Sequence, residues 1–252
     1  MKRIFFSFLL FLLFISSAVA QPGALLLGTL MDIPVAKTSD IGSVETGLRM
    51  YSGGGMIASL SVGLTARFTL GVSYGGENII GTGKINMNPQ PCVQVKYLLF
   101  EEQNLSPALV IGFDSQGYGG YNKGLKRYVL KSKGFYVVLS KNTSLLGGLG
   151  LHAGANYSLE TEDGDKDPNF FVGCHKWLNP ELVLLGEYDT AINDNSDNSI
   201  GSGKGYLNAG VRWSFSRRFF IEFSWKNILE NQDQAFGSSR EIRMIYLAYF
   251  NG

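Results

Sequence analysis

The sequence predicts an all-β chain closed into an antiparallel transmembrane barrel of about 12 strands. Three observations predict it: long runs of strict two-residue alternation, connections that alternate short and long, and an apolar leader at the start. Alternation sends successive side chains to opposite faces of a strand. In the stretch from Tyr206 to Ile228, Leu207, Ala209, Val211, Trp213 and Phe215 hold one parity, against Asn208, Gly210, Arg212 and Ser214. After Ser216-Arg217-Arg218 the pattern resumes, with Phe219, Ile221, Phe223 and Trp225 against Glu222, Ser224 and Lys226. This is a hairpin with one apolar and one polar face.

Taken in order, residues 1–20 read as a cleaved signal peptide. Lys2 and Arg3 precede an apolar run from Ile4 to Ile15, and Ala18-Val19-Ala20 offers the small residues of a cleavage site. The run is too short for a membrane-spanning helix of about 20 residues. Losing Lys2 and Arg3 from 22 basic residues leaves 20 against 21 acidic ones, so nucleic acid is excluded as a partner. Charged residues make up 17% of the chain, below the roughly 25% of soluble proteins. Glycine supplies 32 of 252 residues, well above its usual share of about 7%. Residues 21–40 are expected to form a periplasmic lead-in or partial plug, and 41–252 the barrel.

Twelve strands are expected at 42–51, 56–65, 68–77, 91–100, 107–116, 134–141, 144–158, 169–178, 181–191, 205–215, 218–228 and 241–250. Ten or fourteen are the near alternatives, because 42–51 and 76–90 carry the weakest patterns. Most hold about ten residues, the length of a tilted membrane-spanning strand. Tight turns fall at 65–67, 141–143, 178–180 and 216–218, and long polar loops at 75–91, 116–134, 159–168, 192–204 and 230–240. Outer-membrane barrels put short turns on the periplasmic side and long loops outside, a segregation that a soluble sandwich does not need. An even strand count returns both termini to the short-turn side.

The faces agree with a lipid exterior. In 144–158, Leu149, Leu151, Ala153, Ala155 and Tyr157 share the outward parity, opposite Gly150, His152, Gly154 and Asn156. In 181–191, Leu182, Leu184, Gly186 and Tyr188 oppose Val183, Leu185, Glu187 and Asp189. The polar parity is mostly Gly, Ser and Asn with scattered charge, as a crowded barrel interior requires. Trp213, Trp225 and Tyr188 fall near strand ends, where amphipathic rings favour the headgroup level. The last strand ends at Phe250, two residues from the C-terminus, which resembles the assembly signal of outer-membrane barrels.

Parity assigns ten charges to the lumen: Glu45, Arg49, Lys96, Asp114, Glu187, Asp189, Arg212, Glu222, Lys226 and Arg243. Five are acidic and five basic. Balanced signs favour an ion-pair network filling a narrow barrel over a charge-selective pore, with Glu187, Arg212 and Glu222 pairing across three successive strands. His152 and His175 both face the lumen on neighbouring strands, but no His/Cys/Asp cluster has metal-ligand spacing. Neither His faces lipid, where a membrane phospholipase would need it beside a Ser. "GLGLHAG" and "GSGKG" match phosphate loops in glycine content alone, since neither opens a helix. Asp163, Asp165 and Asp167 could ligate Ca²⁺, but their glycine spacing does not match a calcium loop, and a solvated loop is expected. No catalytic residue and no cofactor is expected. Cys92 is placed in the lumen and Cys174 towards lipid, too far apart for a disulfide.

The stretches "GTLMDIPVAKTSDIGSVETGLRMY" (Gly28–Tyr51) and "KYLLFEEQNLSPALVIGFDSQGYGGY" (Lys96–Tyr121) resemble the YjbH-like outer-membrane proteins associated with exopolysaccharide production. The likeness lies in an Ile-Pro segment leading into a first strand, an aromatic-rich strand, an acidic turn and a "PALxIG" strand. It implies a barrel near polysaccharide export. The expectation is a non-enzymatic Gram-negative outer-membrane barrel, either a small-solute pore or an accessory to export. Its expected partners are outer-membrane lipid, the barrel-assembly machinery, and polysaccharide or small solutes. The alternative is a barrel enzyme or an adhesin acting through its outer loops.

Overall fold

The computed structural model describes residues 27–144, 148–196, 198–231 and 237–250. The expected signal peptide, the rest of the lead-in up to residue 26 and part of the 144–158 strand lie outside the described residues. Among the described residues there are fifteen strands: β1 (Ser43–Tyr51), β2 (Gly55–Thr65), β3 (Phe68–Glu77), β4 (Asn86–Met87), β5 (Cys92–Phe100), β6 (Ala108–Asp114), β7 (Tyr118–Asn122), β8 (Arg127–Leu130), β9 (Gly134–Thr143), β10 (Leu149–Tyr157), β11 (Asn169–Asn179), β12 (Leu182–Asp189), β13 (Tyr206–Ser216), β14 (Phe219–Lys226) and β15 (Ser239–Tyr249).

Twelve of them close a ring. Each of β1, β2, β3, β5, β6 and β9 to β15 pairs antiparallel with the next, and β15 pairs back onto β1 from Ser43↔Tyr249 to Met50↔Ile242. Closure removes every exposed sheet edge, which a backbone in hydrocarbon requires. The exterior is apolar: Leu70, Val72, Val93, Ile111, Val137, Leu151, Val172 and Phe223 are all exposed on alternate positions. Among the described residues no helix is long and apolar enough to cross a membrane; the strands span it. The fold is a closed 12-stranded antiparallel transmembrane barrel, as the alternation predicts.

The other three strands belong to the long loops, which the sequence reading leaves without structure. β4 adds two residues to the end of β3, and β7 and β8 form a separate hairpin between β6 and β9. One short 3-10 turn, Ile192–Asp194, sits in the loop before β13.

The interior corrects the expectation of a lumen face made of Gly, Ser and Asn. Val110, Tyr136, Val138, Phe171, Trp177, Val183, Leu185, Phe220 and Ile245 point inward and are buried. They enclose Leu27, Leu30, Met31, Ile33, Val35 and Ala36 of the segment before β1, so the apolar core lies inside the barrel. Burial of each large side chain in that segment stabilises it by about 1.5–3 kcal/mol.

Candidate functional site

The inserted segment is a tight turn whose backbone is read by wall side chains. Leu30 N donates to Ile33 O at 3.0 Å and Val35 N to Gly28 O at 3.1 Å, and Thr29 bridges Pro34. The fixed φ of Pro34 suits the return of the chain. The turn aims three consecutive amides outwards, and Glu187 of β12 receives all three. Met31 N and Ile33 N donate to Oε2 at 3.1 and 3.2 Å, and Asp32 N donates to Oε1 at 3.0 Å. Asn208 Nδ2 completes the carboxylate at 2.7 Å, and Lys226 stands 3.4 Å away.

Opposite charges hold the rest of the turn. Arg49 Nη2 reaches Asp32 Oδ1 at 2.8 Å, while Arg49 Nε donates to Glu241 at 2.7 Å. Lys226 also grips Asp32. Burial alone would raise the Asp32 pKa, but the Lys226 and Arg49 cations outweigh it and hold the carboxyl well below the usual range. Arg212 donates to the carbonyls of Thr29 (3.0 Å) and Leu30, and its Nε reaches Glu222 at 2.9 Å. Arg243 binds Thr29 Oγ1 at 2.9 Å and Glu45 at 3.3 Å, and Lys96 donates to Gly28 O. Two wall glycines make room for this segment. A Cβ at Gly173 would stand 2.5 Å from Ile33 Cδ1, and one at Gly210 would stand 2.8 Å from Met31 Sδ.

Eight of the ten charges assigned to the lumen therefore engage the turn directly or through one partner: Glu45, Arg49, Lys96, Glu187, Arg212, Glu222, Lys226 and Arg243. Glu45 joins through Arg243. Asp189 stands apart, bound by Lys133, by Asn169 Nδ2 at 2.7 Å and by Ala191 N at 2.9 Å. Asp114 accepts from Gln94 Nε2 and Gln116 N, both at 2.9 Å. Of the expected three-strand pairing, Arg212–Glu222 forms and Arg212–Glu187 does not, because three amides, Asn208 and Lys226 already surround Glu187.

The two histidines join a chain of hydrogen bonds rather than a metal centre. Ala36 N donates to Ser140 Oγ at 2.7 Å, Ser140 Oγ lies 2.7 Å from His152 Nδ1, and His152 Nε2 lies 2.9 Å from His175 Nδ1. Donor and acceptor roles along this chain follow from the tautomers of the two rings. Among the described residues no group of His, Cys, Asp and Glu is arranged to hold a metal ion. Ser140 was not singled out from sequence; its inward parity beside His152 was the available signal.

At the long-loop end, β7–β8 folds over the mouth. The Tyr118 ring lies 3.9 Å from the Arg49 guanidinium carbon. Arg127 is fully buried, 2.6 Å from both Asp163 and Asp194, and Lys131 stands 2.7 Å from Asp163. This corrects the solvated-loop reading of Asp163 and Asp165: both are buried, Asp163 because Arg127 and Lys131 fold onto it, and Asp165 because its carboxylate accepts Asp167 N and Asn195 N. Glu160 accepts from Tyr128 N at 3.1 Å, and burial pushes its pKa up to about 7.

Beside the inserted turn a polar cavity of about 90 Å³ runs along β1, β2, β3 and β5. Small side chains open it: Gly47, Ser59, Ser61 and Gly71 line it, and Lys96 and Asp114 bring charge from the strands that follow in the sheet.

A closed transmembrane barrel with a charge-lined lumen is the class of protein that this fold and site define. Among solved structures it is similar to the KdgM porin in complex with disordered oligogalacturonate, at 11% identity over 81% of this chain and 98% of that one, with a TM-score of 0.50. The KdgM porin alone gives a TM-score of 0.49, at 11% identity over 83% and 99%. The NanC porin gives 0.45, at 10% identity over 82% and 98%. At such identities the likeness is one of fold. No protein-family model matches the sequence, and neither does any curated protein.

Proposed function

We propose that this chain is a non-enzymatic outer-membrane pore of low conductance for small polar solutes, with the 27–39 segment as a partial plug. The observation that carries the reading is the division of the lumen. One half is filled by the inserted turn, and the other keeps a hydroxyl- and charge-lined cavity. A structural barrel would gain from filling both halves with apolar side chains; a wet, charged half supports passage of solutes. Export by the 1–20 leader and insertion by the barrel-assembly machinery through the Phe250 terminus belong to the same proposal, with outer-membrane lipid as the surrounding partner.

An accessory role in exopolysaccharide export is the second reading. The two stretches that carry the YjbH-like resemblance meet in the lumen, where Lys96 binds Gly28 O. The test is conductance in planar bilayers of the mature chain and of a variant lacking residues 21–39. Small, steady conductance that rises severalfold on deletion supports the plugged pore. A barrel that stays silent after deletion refutes it and favours the accessory role.

A further inference from the structure

Pairing uses up most of the lumen charge unevenly. Arg49, Arg212, Lys226 and Arg243 each have a carboxylate partner, as do Lys133 and Asp189 with each other. Two charges are left. Lys96 is 1% exposed, and its hydrogen bond goes to a carbonyl; among the described residues no carboxylate pairs with it. Asp114 is held by an amide side chain and a backbone N–H, again with no ion pair among the described residues. Both lie on the same cavity. They are diagonal neighbours across β5 and β6, because Lys96 faces Gly112 and Gln94 faces Asp114. Such diagonals lie roughly 7–8 Å apart, within reach of a long side chain, yet Lys96 turns to Gly28 O instead and leaves Asp114 open to the cavity.

We propose that the cavity between Lys96 and Asp114 is a binding site for a small zwitterion of the free α-amino acid class. The inference rests on the pore reading, whose solute it names. Asp114 lies nearer the long-loop end and would take the ammonium; Lys96, deeper by two residues, takes the carboxylate. The Ser59 and Ser61 hydroxyls, two strands from Lys96 on the same cavity, supply neutral donors and acceptors. The roughly 90 Å³ volume restricts the ligand to the smallest members of the class. An anion alone would leave Asp114 uncompensated and add its repulsion, and a cation alone would do the same at Lys96. A zwitterion satisfies both buried charges at once.

Binding to the detergent-solubilised mature barrel at pH 7, followed by calorimetry or saturation-transfer NMR, tests this with four ligands of similar size: glycine, glycolate, ethanolamine and ethylene glycol. Glycine should bind tighter than either singly charged analogue by roughly tenfold, the value of one charged hydrogen bond. Lys96→Met should lower glycine to the level of ethanolamine and make ethanolamine preferred over glycolate. Asp114→Asn should reverse that order. Ser61→Leu, which keeps both charges and fills the cavity, should abolish glycine binding. Glycine binding no tighter than that of the better single-charge analogue, or the same preference in both charge variants, overturns the proposal. Conductance measured in parallel separates the two readings. Selective glycine binding by a silent barrel keeps the site and removes the pore, and a conducting barrel without the preference does the reverse. Heat-modifiable migration on gels confirms that each variant folds; if Lys96→Met does not, Asp114→Asn and Ser61→Leu still decide the outcome.

Discussion

Replacing Glu187 by Gln should free the inserted turn. The carboxylate accepts three amides at 3.0–3.2 Å and stands 3.4 Å from Lys226. A carboxamide keeps one acceptor oxygen but turns an NH₂ group towards the amide donors. The variant therefore loses charge-assisted bonds and leaves donors unpaired in a buried place. Removing one partner from such a site costs about 3–5 kcal/mol. Lys226 keeps Asp32 as a partner, which argues for the lower end of that range. Amide exchange of Met31, Asp32 and Ile33 reports local opening of the turn directly. At about 1.4 kcal/mol per decade, these amides should exchange roughly 10²–10⁴ times faster, while the wall amide of Val110 is unaffected. Exchange at the three amides that stays within a few-fold of the parent refutes the reasoning. It would mean that apolar burial of Leu30, Ile33 and Val35, together with the Arg49, Lys226 and Arg212 contacts, holds the segment without Glu187.

Three further outcomes are expected. Arg127→Met should leave Asp163 and Asp194 buried without their shared cation, loosen β7–β8 by about 3–5 kcal/mol, and speed tryptic cleavage at Lys123 and Lys126; unchanged cleavage refutes the latch. The Glu160 carboxyl is raised from 4.5 to about 7 by burial, so the folded loop binds a proton that the unfolded loop has released between those values. Loop stability should therefore fall as pH rises from about 4.5 to 7, and Glu160→Gln should flatten the profile measured by tryptic accessibility; equal slopes in the two proteins would sink the assignment. The structure leaves both cysteines free, Cys92 buried and Cys174 exposed on the outer surface. Mass spectrometry after alkylation should find two modified thiols, Cys174 reacting first with a lipophilic maleimide, and an intact Cys92–Cys174 bridge would contradict the strand register.

The barrel wall was legible because each strand reports its own environment. Lipid demands an apolar side chain at every second position, so the parity of Leu151, Ala153 and Tyr157 against His152 and Asn156 can be read within one strand. Expected and observed strands differ mainly by a residue or two at their ends. The loops were less legible. Hairpin β7–β8 draws its stability from Arg127 reaching Asp163 and Asp194, 36 and 67 residues away, and nothing local in "YGGYNKGLKRYVL" announces those partners.

Local alternation carries the wall: an antiparallel barrel of about twelve strands with an apolar face towards lipid. How the inward charges pair depends instead on the closed fold. Glu187 is separated from Met31 by 156 residues and Arg212 from Leu30 by 182, so their meeting depends on the closed ring and on the depth to which the turn inserts. One hint was present: Val110, Val138, Val183, Leu185, Phe220 and Ile245 occupy the inward parity, and apolar side chains there need an apolar partner inside the barrel. Sign counting along the chain came out even because pairing is a property of distance. Space pairs Arg212 with Glu222 and Lys226 with Asp32, and leaves Lys96 and Asp114 facing one cavity.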